Sequence, residues 1–199
     1  LRRKRFAELC QTHGFTNHEQ PSENLFRILS QHGSSESAFP FFSRGRTQRI
    51  LLLAEKKTVD RTNAIGLLRY RSGGKNKNTR HLSFCIFIRP GANLPHFQIC
   101  PESVLHKFIQ NFGYQDIDLP NYPEFSKKFL LRGTQPERIV QLFSPTLIQS
   151  VENFPGICIE AQGAVILCYK ERQSQVDDSF MHFHTQAAQL AGQIFSTAR

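Results

Sequence analysis

The stretch FSKKFLLRGTQPERIVQLFSPTLIQSV, residues 125–151, reads as a strand followed by two capped helices, and its reading decides the fold class. Thr134 and Glu137 have the spacing of a capping box, in which each side chain answers a backbone N–H left unpaired at a helix start. Pro136 suits a first helical turn, where no N–H is needed. Ser144 followed by Pro145 repeats the signal, so the first helix should stop near Phe143 and a second should begin at once. Ile139, Val140, Leu142, Phe143, Leu147, Ile148 and Val151 then supply an apolar face expected to pack this bent pair onto a sheet.

Working outward, residues 49–57, 64–71 and 79–89 read as strands, the third with Leu82, Phe84, Ile86 and Ile88 alternating on one face. The second and third should form a hairpin whose tip is SGGKNKN, residues 72–78. A short strand at 95–99 leads into a predicted helix with Pro101 in its first turn and Gly113 closing it. Residues 156–161 and 164–172 read as a last hairpin. Asp177 or Asp178 caps a final helix that carries Phe180, Phe183, Ala187, Leu190 and Ile194 at steps of three and four. At the other end, residues 4–13 and 22–32 look like two short helices closed by Gly14 and Gly33. The expectation is an α+β domain over residues 44–199, a largely antiparallel sheet with helices mainly on one face, preceded by a helical, juxtamembrane-like segment over 1–43. No glycine-rich loop joins a strand to a helix, which disfavours a doubly wound nucleotide-binding fold.

The lead-in PEFSKKF (residues 123–129), then Arg132-Gly133, Gln135-Pro136-Glu137 and Leu142-Phe143-Ser144-Pro145, resembles an uncharacterised bacterial family, a domain of unknown function found as the soluble part of membrane-anchored proteins. Weaker similarity runs over residues 64–163. The resemblance implies a topology, with membrane helices preceding a cytoplasmic domain at the bacterial inner membrane. It brings no reaction and no catalytic residues.

Charge placement points the same way. The chain of 199 residues carries a formal net charge of +9. Residues 44–80 hold Arg44, Arg46, Arg49, Lys56, Lys57, Arg61, Arg69, Arg71, Lys75, Lys77 and Arg80 against only Glu55 and Asp60. A second cluster, Arg2, Arg3, Lys4 and Arg5, opens the chain, which begins with Leu1 instead of Met. Such a cluster is expected of a cytoplasmic flank cut from preceding membrane helices, and equally of a solvated helix start. Apolar runs such as 50–54 and 164–169 fall far short of the roughly 18 residues a span requires.

The hairpin residues Arg69, Tyr70, Arg71, Lys75, Lys77 and Arg80 combine an aromatic ring with cations. That composition suits an anionic membrane surface, or phosphate contacts and base stacking on nucleic acid. It also suits a glycine-rich tip that is simply kept soluble. Nucleic acid ranks below lipid because no RNA-binding aromatic motif or helix-turn-helix pattern accompanies it.

No segment of the sequence carries a recognisable catalytic or cofactor motif. Cys100, expected at a helix N-terminus with His96 and His106 nearby in sequence, is better read as a buried thiol, since His106 would point away from the helix start. His182 and His184 lie too far apart around a helix to share a metal ion. Capping accounts for Asp177 and Asp178, and Asp116 and Asp118 lack ligand partners at the right spacing. Five widely spaced cysteines, Cys10, Cys85, Cys100, Cys158 and Cys168, have no Cys-x-x-Cys pair and favour a reducing compartment. A two-residue turn at Gln162-Gly163 would set Cys158 opposite Leu167, leaving Cys158 and Cys168 on opposite faces and unable to pair.

The sequence therefore points to a non-enzymatic scaffold or interaction module, without cofactor or metal, in an envelope-associated assembly. Its partners would be the membrane, through a segment preceding Leu1 and through anionic headgroups, and an unidentified protein. The rivals are a nucleic-acid binder using residues 44–80 and an enzyme whose site is scattered in sequence.

Overall fold

Leu82, Phe84, Ile86 and Ile88 alternate with Ser83, Cys85 and Phe87, and both sets are buried, so the strand that carries them is covered on both sides. The computed structural model describes residues 2–17, 25, 41, 46–72, 78–103, 114–171 and 173–197. These form helix α1 (Arg2–His13), strands β1 (Thr16–Asn17), β2 (Arg46–Lys57), β3 (Thr62–Ser72), β4 (Asn78–Ile88), β5 (Leu94–Pro101) and β6 (Gln115–Asp116), and helix α2 (Pro123–Lys128). There follow β7 (Phe129–Gly133), α3 (Pro136–Leu142), α4 (Pro145–Glu152), β8 (Ile157–Gly163), β9 (Val165–Lys170) and α5 (Asp178–Thr197). The nine strands make one sheet in the order β1-β2-β3-β4-β9-β8-β5-β7-β6, and every pair in it is antiparallel. The α+β class is as expected.

The first face receives all five described helices. Phe6 and Cys10 of α1, the α3 and α4 residues Ile139, Leu142, Leu147, Ile148 and Val151, and Phe180, Phe183, Ala187, Leu190 and Ile194 of α5 share one core with Ile65, Leu67, Cys85, Phe87, Ile159 and Ile166. The second face is built from Leu53, Ala64, Leu68, Tyr70, Leu82, Phe84, Ile86, Leu167 and Tyr169, with Leu25 and Phe41 packed on them. A register shift between Ile50 and Leu52 turns both Leu51 and Leu52 toward the first face.

The deciding stretch departs from its reading in three places. Its first residues form the short helix α2, with Pro123 in the first turn, and the strand begins only at Phe129. The Thr134–Glu137 capping box does not form, because Gln135 is the N-cap and makes no side-chain cap bond. Thr134 instead continues the strand pairing, its N–H donating to the His96 carbonyl at 3.1 Å. Val140 is 42 % exposed and lies outside the apolar face. The Ser144 cap is present, with Oγ accepting from the Leu147 N–H at 3.2 Å. Gly133 permits the close seating of α3, since a Cβ there would lie 2.2 Å from Ile139 Cδ1 and 2.6 Å from the His96 carbonyl oxygen.

The last hairpin turns at Gly163 and Ala164, so Cys158 stands opposite Tyr169 and not Leu167. The conclusion about faces survives, with Cys158 on the second face and Cys168 on the first. All five cysteines are free and buried. Cys100 lies within β5, not at a helix start. The expected helices over 22–32 and 101–113 lie largely outside the described residues.

Candidate anionic-surface interface

Three contacts fix how α1 and α5 lie along the sheet. Ser83, midway along β4, donates from its N–H to the Gln173 carbonyl and from Oγ to the Gln175 carbonyl, both at 2.7 Å, which places the start of α5 beside the middle of β4. At the far end of β4, Arg89 Nη1 donates to the Phe195 carbonyl at 3.2 Å. Lys56 Nζ donates to the His13 carbonyl at 3.0 Å and so ties the end of α1 to that same far end, near the β2–β3 turn. The beginning of α1 lies beside the start of α5, away from the β2–β3 turn. Arg5 acts there on Asp177, whose carboxyl is held below its ordinary range first by the Ser179 hydroxyl, then by the Phe180 and Ser179 N–H groups and by the Arg5 charge.

Two basic clusters separated by more than sixty residues of sequence thereby both lie away from the β2–β3 turn. Arg3, Lys4 and Arg5 are exposed there, and no acidic residue occupies the first turn of α1. Cations at a helix N-terminus oppose the macrodipole, so this cluster weakens its own helix locally. From the hairpin, Arg69 is half-buried while Arg71 and Arg80 are exposed. Arg69 and Arg71 lie on the first face with Arg49 of β2, and Arg80 lies on the second. Tyr70 is 8 % exposed and packs in the second-face core, so its ring is not available for stacking on a ligand. Lys75 and Lys77 lie outside the described residues, as does the side chain of Arg2.

Pairing separates the arginines of this hairpin from four others. Arg61 meets Asp60, Arg132 meets Asp116, Arg89 meets the Phe195 carbonyl, and Arg138 meets Gln135 and the Asn93 carbonyl. Among the described residues, Arg49, Arg69, Arg71 and Arg80 have no hydrogen-bond or ion-pair partner. The far end instead carries a cleft of about 340 Å³ lined by Gly14, Thr16, Glu55, Lys56 and Lys57.

Sequence reasoning missed a second feature, a polar centre inside the second face. Glu160 is 1 % exposed. Its Oε1 accepts from Tyr169 Oη at 2.9 Å and from Gln98 Nε2 at 3.3 Å, and its Oε2 accepts from the Phe41 N–H at 3.0 Å. The Phe41 ring packs 4.7 Å from Tyr169 and 5.4 Å from Phe84. Nearby, the Tyr114 hydroxyl is hydrogen-bonded to the His96 ring, and its pKa is pushed well up, first by burial and then by the Glu160 charge. A carboxylate met by three donors is held in place, and the arrangement fastens the segment bearing Phe41 to the sheet. The available signal was Glu160 alone among apolar residues in ICIEA, and it did not reveal the partner 119 residues away.

Among the described residues there is no cluster of three or more His, Cys, Asp or Glu that could hold a metal ion, and no helix is long and apolar enough to cross a membrane. No family model matches the chain, and no curated protein sequence matches it. Among solved structures it is similar to the crystal structure of the mycobacterial trehalose monomycolate transport factor A, TtfA, with a TM-score of 0.63 at 8 % identity, over 98 % of this chain and 93 % of that one. At that identity the likeness concerns the fold.

Proposed function

We propose that this chain is a non-enzymatic interaction module of a membrane-anchored protein in an envelope-associated assembly, and that it applies its basic end to anionic headgroups on the cytoplasmic face. The observation that carries the reading is that the α1 cluster and the unpaired arginines of β2, β3 and β4 all lie away from the β2–β3 turn, on the side of the β3–β4 tip. Membrane helices ahead of Leu1, implied by the family resemblance, belong to the same reading, since α1 begins on the side away from the β2–β3 turn. An anchor there would hold the arginines near the bilayer and strengthen a weak contact through effective concentration. The likeness to a mycobacterial transport factor is compatible with a role in the envelope. The buried ring of Tyr70 removes the aromatic platform that favoured nucleic acid.

Cosedimentation with phosphatidylglycerol-containing and pure phosphatidylcholine vesicles tests the reading. Each basic residue near an anionic surface contributes about 1 kcal/mol, so Arg69→Ala, Arg71→Ala and Arg80→Ala together should weaken binding on the order of a hundredfold at low salt. Equal binding to both vesicle types would refute it, as would tighter, salt-dependent binding to single-stranded nucleic acid.

A further inference from the structure

The β2–β3 register sets Arg49 directly opposite Arg69 and Arg46 opposite Arg71. Like charges in directly opposed positions weaken a ladder, and Arg49 and Arg69 are such a pair. Arg49 is exposed and Arg69 half-buried, both on the first face, and among the described residues neither has an acidic partner. Opposed side chains leave the sheet about 5 Å apart at Cβ. Each guanidinium is a planar fork of donors that matches the edge of a phosphate group. Two forks rising from one cross-strand pair can close on a single tetrahedral anion from both sides.

We propose that Arg49 and Arg69 form a clamp for a phosphate monoester, each guanidinium donating two hydrogen bonds to its oxygens. Two fixed cations match the dianion of a monoester better than the single charge of a phosphodiester, and Arg71 on the same face adds to the local field. The clamp rests on the reading of this end as a lipid-facing surface and adds the headgroup chemistry to it. The monoester could be carried by a lipid such as phosphatidic acid or by a soluble metabolite.

The test is cosedimentation of the whole chain with phosphatidylcholine vesicles containing either phosphatidic acid or phosphatidylglycerol at matched surface charge, with glycerol 3-phosphate as the free monoester. The clamp predicts about tenfold tighter binding to phosphatidic acid, a preference lost in Arg49→Lys/Arg69→Lys although net charge is kept. The control Arg61→Lys, at the β2–β3 turn, should retain it, and unchanged denaturation midpoints would show all variants folded. Competition by glycerol 3-phosphate at concentrations below the vesicle phosphate would support the clamp with a soluble ester as its ligand. Equal binding to both lipids, or a preference that survives the lysine substitutions, overturns the clamp and leaves the basic-end reading standing. Binding to neither vesicle overturns that reading, and if glycerol 3-phosphate also fails to bind, the clamp falls with it.

Discussion

The backbone N–H of Phe41 donates to the carboxylate of Glu160 at 3.0 Å, deep in the second face of the sheet. The same carboxylate holds Tyr169 and Gln98, so one acidic side chain organises a polar centre inside an apolar layer. Glu160→Gln keeps the volume and turns one acceptor into a donor, which must then face Phe41 N–H or the Tyr169–Gln98 pair. Urea denaturation should register a loss of about 1 to 3 kcal/mol. A midpoint equal to that of the wild type would mean that the centre contributes nothing to holding Phe41.

His184 is 8 % exposed on α5, with its ring 5.2 Å from Phe15 and 5.6 Å from Phe87, and its Nε2 has no partner among the described residues. Burial first, then the Lys56 and His13 charges, lower its pKa to about 4 from the ordinary 6.5. The unfolded chain therefore takes up this proton before the folded one. Its contribution is fully present above pH 6.5 and is lost as pH falls toward 4, a difference on the order of 3 kcal/mol. His184→Phe should remove that part of the acid sensitivity. Parallel stability–pH curves for the two proteins between pH 6.5 and 4 would contradict the assignment.

Gly133 and Phe143 test the packing of α3 and α4. Phe143 is 6 % exposed, with ring contacts to Phe97 at 5.9 Å and Phe125 at 6.0 Å, so Phe143→Ala should cost about 3 to 5 kcal/mol. Gly133→Ala must displace Ile139 or the β5 backbone and should cost about 1 to 3 kcal/mol. Chemical denaturation decides both, and an unchanged midpoint for Phe143→Ala would place that ring on a surface.

Much of the fold was legible because local rules agreed with the final structure. Ser144-Pro145 starts a helix, β3 and β4 pair antiparallel up to Ser72 and Asn78, and the stripe from Phe180 to Ile194 faces the core. Where reading failed, a longer-range interaction won. Thr134 cannot cap α3 because its N–H is engaged with β5, and Val140 falls just outside the contact made by Ile139. Tyr70 looked like a surface ring because Arg69 and Arg71 flank it, yet strand alternation sends it to the opposite face. The candidate interface was half legible. Composition revealed two basic clusters, but that both lie away from the β2–β3 turn depends on the direction of α1, fixed by Lys56.

The central claim is that this one end meets the membrane while the opposite end faces water. Nitroxide labels at Asn78→Cys, beside the β3–β4 tip, and at Val59→Cys, on the fully exposed β2–β3 turn, probe the two ends separately. The five native cysteines are buried and should not compete for the label in the folded protein. On phosphatidylglycerol vesicles at low salt, the label at 78 should lose accessibility to a water-soluble nickel relaxant while the label at 59 keeps it, and moderate salt should abolish the difference. Protection of the label at 59, or equal accessibility of both on vesicles that bind the protein, would contradict the account.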